Sequence, residues 1–140
     1  LHEVLELAPH EPPADYVHKM GWVRIALHNA LWQLLHAPTL EEGVVDTVRR
    51  GGDTDTNAAI CGALLGAVHG LGAIPAQWRH TILACRPQAG RPGVHHPRPD
   101  CFWPVDVLDL VPLLLEDRRD FRWERFCYTE DDLPTLIRKS

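Results

Sequence analysis

Residues 51–57 constrain this chain more than any other stretch, because they place two glycines, two carboxylates and two hydroxyls directly before a helix rich in small residues. On an extended turn, the carboxylates of Asp53 and Asp55 can converge on one hard cation, and the Thr56 hydroxyl can add a third oxygen. One of these residues could instead cap a helix that starts at Asn57, which requires no metal. A single cap does not need two acids, and neighbouring carboxylates repel each other unless a cation or donors hold them. The string therefore favours a metal-binding turn.

Length and charge narrow the class of protein. With 140 residues the chain is long enough for one domain with a hydrophobic core, so we expect a single domain over 1–140. The chain begins with Leu1, which we interpret as the start of a fragment. Fourteen Lys and Arg against nineteen Asp and Glu give a net charge of −5, which provides no basic field for nucleic acid.

Two further features bear on the cellular setting. The uncharged run 58–74 is at the short limit for crossing a bilayer and is rich in glycine, so we expect a buried helix and no membrane contact. The four cysteines are widely spaced and match neither a zinc-ligand pattern nor a dense disulfide framework. This usage favours a reducing, cytoplasmic setting.

Helical periodicity and capping residues predict the elements before the acidic turn. Residues 1–15 read as a helical turn followed by a proline-rich loop, and apolar residues at helical spacing predict a long helix over about 16–36. Thr39 and Glu42 form a capping box that predicts the start of a second helix. The glycine pair that begins at Gly51 should end this helix, which therefore leads directly into the acidic turn.

The elements after the turn are predicted in the same way. A third helix should run from about Asn57 to about Gly70, and its glycines at every fourth position require the close approach of a neighbouring helix. Pro75 can start a fourth helix, and a proline-rich loop follows. A fifth helix is expected over 105–115, and residues 116–140 form a charged tail with interspersed aromatic residues. No segment shows strand alternation, so the predicted class is all-α, a compact helical bundle.

The sequence GGDTDTNAAI at 51–60, with Gly62, Gly66 and the later Ile74-Pro75, resembles the carboxy-terminal half of the ADP-ribosylglycohydrolase family. This is the family that includes the dinitrogenase-reductase-activating glycohydrolases. The similar, family-like helical region extends over about 16–115. The acidic string alone would be a weak signal, but together with the glycine-rich helix and the Ile-Pro pair it is fairly specific.

The resemblance implies a helical fold with a binuclear Mg²⁺ or Mn²⁺ centre that hydrolyses the glycosidic bond between ADP-ribose and a protein side chain. By position, Asp55 would bridge both ions, and Asp53 and Thr56 would bind the second ion. Arg98 would meet a phosphate of the substrate, although a solvated loop explains this residue equally well. The resemblance also implies that the remaining ligands belong to an amino-terminal half outside these residues, so this chain would form an incomplete site. Asp15 and the pair Asp131-Asp132 are the acids that could substitute for them, although neither lies in the Thr-Asp-Asp context of the family.

Three alternatives stay open at this point. The same fold could act without catalysis, by binding ADP-ribose or a protein partner. A plain helical interaction domain would use its acids only as caps. A zinc site at His95, His96 and Cys101 follows no familiar ligand spacing. In each case a half-fold would expose apolar helix faces, so we expect association with a missing half or with a second copy.

Overall fold

The computed structural model describes residues 2–115, and every regular element in this range is helical, which confirms the predicted all-α class. The chain divides between Cys85 and Arg86 into two units. The first unit contains α1 (His2–Leu7), α2 (Val23–His36), α3 (Leu40–Arg49), α4 (Thr54–His69), a short 3-10 helix (Leu71–Ala73) and α5 (Ala76–Leu83). The second unit contains two short 3-10 helices (Asp100–Phe102 and Pro104–Asp106) and α6 (Val107–Leu115).

The division into a single domain with a family-like region over 16–115 stays a prediction, and the tail 116–140 lies outside the described residues. The loop predicted between the fourth and fifth helices is present, interrupted by the 3-10 helix Asp100–Phe102. No helix in the described part of the chain has the length and apolarity needed to cross a membrane.

Helix α4 is the centre of the first unit, because both α2 and α3 pack against it. Cys61 and Leu65 on α4 are completely buried, and they form the core with Ala30 from α2 and Leu40 from α3. Further apolar side chains cover this cluster, namely Leu34, Val44, Leu64, Ile74 and Trp78. Burial of apolar surface in this core fixes the direction of α4, and therefore of the acidic turn at its start.

The predicted close approach to the glycines of α4 is present for two of them. A Cβ on Gly62 would lie 3.5 Å from Cγ2 of Val44, and one on Gly66 would lie 4.0 Å from Cδ1 of Leu40. Both contacts come from α3. Gly70 has a different role, since its φ of 77° ends α4.

Helix α2 is shorter than predicted, because it begins at Val23 and not at Tyr16. The Asp15 carboxylate accepts hydrogen bonds from the backbone N–H groups two and three residues later, at 2.8 and 3.0 Å. Lys19 then adopts a positive φ of 59°. These local turns offer the backbone an alternative to a helix, and the apolar pattern alone does not reveal them.

The capping box at the start of α3 provides a test of local stability. Thr39 is the N-cap residue of α3, and its Oγ1 accepts a hydrogen bond from the backbone N–H of Glu42 at 3.1 Å. Thr39→Ala should lower the free energy of unfolding by about 1 kcal/mol, because this N–H loses its partner. Urea denaturation followed by circular dichroism measures the change.

Thr81→Ala is the matched control, since the Thr81 hydroxyl is exposed and donates to the Gln77 carbonyl within α5. Among the described residues, the Thr81 hydroxyl does not accept a hydrogen bond from any backbone N–H at a helix end, so its loss leaves all such groups as they were. The free energy of unfolding should therefore fall by less than about 0.5 kcal/mol. Equal losses in the two variants would show that the Thr39 cap does not stabilise α3.

Candidate metal centre

A two-glycine turn joins α3 to α4 and carries the acidic string. Gly51 and Gly52 both have left-handed backbone conformations, with φ of 79° and 72°. The Gly52 carbonyl accepts a hydrogen bond from the backbone N–H of Thr54 at 3.0 Å. A Cβ on Gly52 would lie 1.8 Å from the carbonyl oxygen of Tyr16, so only glycine allows this approach. The turn therefore rests directly on the main chain that precedes α2.

Helix α4 begins earlier than the sequence indicates, at Thr54 and not at about Asn57. Asp53 occupies the N-cap position, and its carbonyl accepts the backbone N–H of Asn57 at 3.0 Å. The expectation of an extended turn through the whole acidic string is therefore wrong. Asp55 and Thr56 lie in the first turn of α4, where free backbone N–H groups and the helix dipole favour negative charge.

The Asp53 side chain makes no capping hydrogen bond, although the residue occupies the N-cap position. Its carboxylate therefore does not accept a capping hydrogen bond from the backbone N–H groups at the start of α4. Asp53 is half-buried, whereas Asp55 and Thr56 are exposed. The oxygen atoms of all three side chains belong to one short segment at the start of α4, and solvent reaches this segment.

The two carboxyl groups of the string lie close enough to interact. A hydrogen bond with the Asp53 carboxyl lowers the pKa of Asp55, and the backbone N–H groups of Thr56 and of Asp55 itself lower this pKa further. Asp55 therefore stays ionised well into the acidic range. When both carboxyls are ionised at neutral pH they repel each other, and a divalent cation would offset this repulsion.

The donor set fits Mg²⁺ or Mn²⁺, because carboxylate and hydroxyl oxygens are the hard ligands that these ions prefer.

Asn57, which is 1% exposed, has an Nδ2 without a hydrogen-bond partner among the described residues. A buried donor of this kind is costly unless an acceptor completes its surroundings. Within residues 2–115 no three His, Cys, Asp or Glu side chains form a group that could hold a metal ion. Asp53 and Asp55 therefore do not by themselves complete a metal site within residues 2–115.

Within residues 2–115 none of the other predicted candidates forms a metal-binding group with His, Cys, Asp or Glu side chains. The Asp15 carboxylate is engaged locally, since its Oδ2 lies 2.7 Å from Nδ1 of His18. The absence of a metal-binding group in the described range also argues against zinc at His95, His96 and Cys101. Asp131 and Asp132 lie outside the described residues.

Arg98 belongs to the second unit, where its side chain is exposed. Its backbone is held from two sides, because its N–H donates to the Pro87 carbonyl at 2.8 Å and its carbonyl accepts from Trp103 Nε1 at 3.0 Å. The Arg86 guanidinium lies 6.0 Å from the Trp103 ring centroid. The predicted contact of Arg98 with a phosphate stays a prediction.

Sequence reasoning missed a buried polar chain beside the turn. The Tyr16 hydroxyl donates to Asn29 Oδ1 at 2.9 Å, and Asn29 Nδ2 donates to Thr47 Oγ1 at 2.9 Å. Asn29 and Thr47 are both 0% exposed. A signal was present in the sequence, since Asn29 and Gln33 interrupt the apolar stripe of α2 at positions that face the other helices.

The first unit is a helical scaffold that presents a paired-carboxylate turn at the start of its central helix. The chain belongs to the ADP-ribosylglycohydrolase family, because the model of that family matches residues 1–93. The chain is also 36% identical over 66 residues to a putative ADP-ribosyl glycohydrolase of Acanthamoeba polyphaga mimivirus. This alignment covers 47% of the chain and 20% of the viral protein. No solved structure matches the chain significantly.

Proposed function

We propose that this chain supplies one side of a binuclear Mg²⁺ or Mn²⁺ site that hydrolyses the glycosidic bond between ADP-ribose and a protein side chain. The observation that carries the proposal is the pair of acids Asp53 and Asp55 at the start of α4, within the region that matches the family. In this proposal the side chains of Asp53, Asp55 and Thr56 would hold the ions. The partners are ADP-ribosylated protein or ADP-ribose, in a cytoplasmic setting.

The residues of the chain have separate tasks in this site. A hydrogen bond with the Asp53 carboxyl, and then the backbone N–H groups of Thr56 and Asp55, lower the pKa of Asp55, so they favour the carboxylate form that binds a cation. Asp53 contributes a carboxylate that the helix start does not use. The chemistry that such ions supply when bound is polarisation of ribose hydroxyls and of a water molecule. Arg98 is the proposed contact for a substrate phosphate, because a guanidinium pairs well with phosphate oxygens.

The proposal includes ligands from outside the described residues. Two carboxylates and one hydroxyl are fewer than the roughly six oxygen ligands that each such ion takes. The alignment with the viral relative covers 20% of that protein, so the relative contains much sequence that this chain does not match. We propose that the chain belongs to the carboxy-terminal half of a complete site, whose remaining ligands come from a separate segment or from an associated chain.

Manganese binding tests the proposal directly. The wild-type chain should bind Mn²⁺ in a titration followed by electron paramagnetic resonance of the free ion. Asp55→Asn should bind at least about tenfold more weakly, because it replaces a charged ligand by a neutral amide. The measurement should be made near pH 7, well above the range in which Asp carboxyls ordinarily titrate.

Asp109→Asn provides the control for the change in net charge, since Asp109 is an exposed acid on α6 in the second unit. Its Mn²⁺ affinity should equal that of the wild type. Identical binding by the wild type and Asp55→Asn, or no binding by either, would contradict the proposed role of the acidic turn. Either result would favour the alternative in which the acids only cap the start of α4.

A further inference from the structure

Tyr16 contacts the acidic turn through its main chain. Its carbonyl oxygen would lie 1.8 Å from a Cβ on Gly52, and its carbonyl carbon would lie 2.7 Å from the same position. Gly52 in turn accepts the backbone N–H of Thr54, the first residue of α4. A shift of the Tyr16 backbone would therefore be transmitted to the start of α4, one residue from each of the paired acids.

The Tyr16 side chain is anchored to two helices by buried hydrogen bonds. Its hydroxyl donates to Asn29 Oδ1 on α2, and Asn29 Nδ2 donates to Thr47 Oγ1 on α3, both at 2.9 Å. Thr47 Oγ1 donates onward to the Gly43 carbonyl at 2.8 Å. Tyr16 is only 6% exposed, so water does not compete well for these bonds.

A second anchor comes from the last turn of α3. The Arg50 guanidinium lies 5.4 Å from the centroid of the Tyr16 ring, within cation–π range. Arg50 Nε donates to Asp46 Oδ2 at 2.7 Å, and Gln33 Nε2 donates to the same carboxylate oxygen. The ring of Tyr16 is therefore held by a cation whose own position is fixed from α2 and α3.

We propose that Tyr16 is a positioning residue for the Asp53–Asp55 pair: its anchored side chain holds the carbonyl on which Gly52 rests, and so sets the orientation of the acids. This inference rests on the proposed function. The two proposals are distinct, because Tyr16 is not a ligand in the proposed site and contacts the acidic turn at Gly52. Loss of the hydroxyl leaves Asn29 without its donor and loosens the Tyr16 backbone.

Tyr16→Phe in the full chain tests the inference with two readouts. Exchange of the Thr54 and Asn57 backbone amides, followed by nuclear magnetic resonance, should become about fivefold faster, because their acceptors are the carbonyls of the turn. Mn²⁺ affinity should fall by about fivefold, as expected when about 1 kcal/mol of ordering is lost.

Val4→Ala separates positioning from general destabilisation. Val4 is 2% exposed on α1, which packs on α2, so its truncation should destabilise the core comparably. Once the loss of global stability measured by urea denaturation is taken into account, the Thr54 and Asn57 amides of Val4→Ala should exchange at wild-type rates. Its Mn²⁺ affinity should also equal that of the wild type. If Tyr16→Phe and Val4→Ala behave alike, Tyr16 is an ordinary core residue.

The two proposals fail in different ways. If the wild type binds Mn²⁺ and Tyr16→Phe binds it equally well, the positioning role is wrong and the proposed function stands. If the wild type binds no Mn²⁺, the proposed function is contradicted, and no metal-site role is left for Tyr16. Unchanged exchange at Thr54 and Asn57 in Tyr16→Phe would overturn the inference whatever the metal titration shows.

Discussion

Gly52→Ala is expected to lower the free energy of unfolding by about 3 kcal/mol or more and to remove measurable Mn²⁺ binding. The added Cβ would lie 1.8 Å from the Tyr16 carbonyl oxygen, and a backbone atom cannot move aside as a flexible side chain can. The residue also has a φ of 72°, which costs an alanine about 1–2 kcal/mol, and overpacking adds about 1–3 kcal/mol. Urea denaturation and manganese titration on the same sample measure both effects.

Gly51→Ala is a close control for this substitution. Gly51 has a nearly identical φ of 79°, but a Cβ at this position would meet no atom within 4 Å. The variant should therefore lose only the backbone contribution of about 1–2 kcal/mol and retain Mn²⁺ binding. The difference between the two variants isolates the contact between Gly52 and Tyr16, and similar losses in both would show that this contact is unimportant.

Local signals predicted the elements that depend on neighbouring residues. Thr39 and Glu42 predicted the start of α3, and the N–H of Glu42 does bond to the threonine hydroxyl. The small residues of α4 predicted a close helix neighbour, and α3 supplies contacts to Gly62 and Gly66. These predictions are confirmed because capping residues and the small residues of closely packed helices recur at short spacings in the sequence.

The predicted start of α4 was wrong because an Asp followed by Thr-Asp-Thr allows more than one capping position. The sequence favoured a helix from Asn57, with the acids on a preceding extended turn. In the structure the backbone of Asp53 already accepts the N–H of Asn57, so the helix includes Asp55 and Thr56.

The buried polar chain could not be predicted for a different reason, since its members are far apart in the sequence. Tyr16, Asn29 and Thr47 come from a loop and two helices, and only the packing of α2 and α3 on α4 brings such residues together. The sequence did place Tyr16 at the start of a helix, although it lies in a turn region before α2. Long-range contacts of this kind decide how the acidic turn is supported, and short spacings do not encode them.

The free energy of unfolding should fall by about 2 kcal/mol between pH 10 and pH 12 because of Tyr16 alone. Burial disfavours the phenolate and raises the pKa of Tyr16 from 10.0 to about 12, and this effect outweighs the opposing influence of the Arg50 cation. The folded chain then holds the phenolic proton more tightly than the unfolded chain does. This contribution is complete below pH 10 and is lost as the pH rises through the folded pKa, at 1.36 kcal/mol per unit of pKa.

Tyr16→Phe reveals this contribution by difference. Both proteins share the titration of their lysines, their cysteines and Tyr128, so the pH dependence of these groups cancels when the two curves are subtracted. The variant should be less stable than the wild type at pH 8, and the gap should narrow steadily above pH 10 in urea denaturation under reducing conditions. Because deprotonation also removes the donor to Asn29, the wild type at high pH should show the same faster exchange at Thr54 as the variant does at neutral pH, after correction for intrinsic exchange rates. A constant gap between the two curves up to pH 11.5 would mean that the Tyr16 hydroxyl is not held in the buried hydrogen bond on which the support of the acidic turn depends.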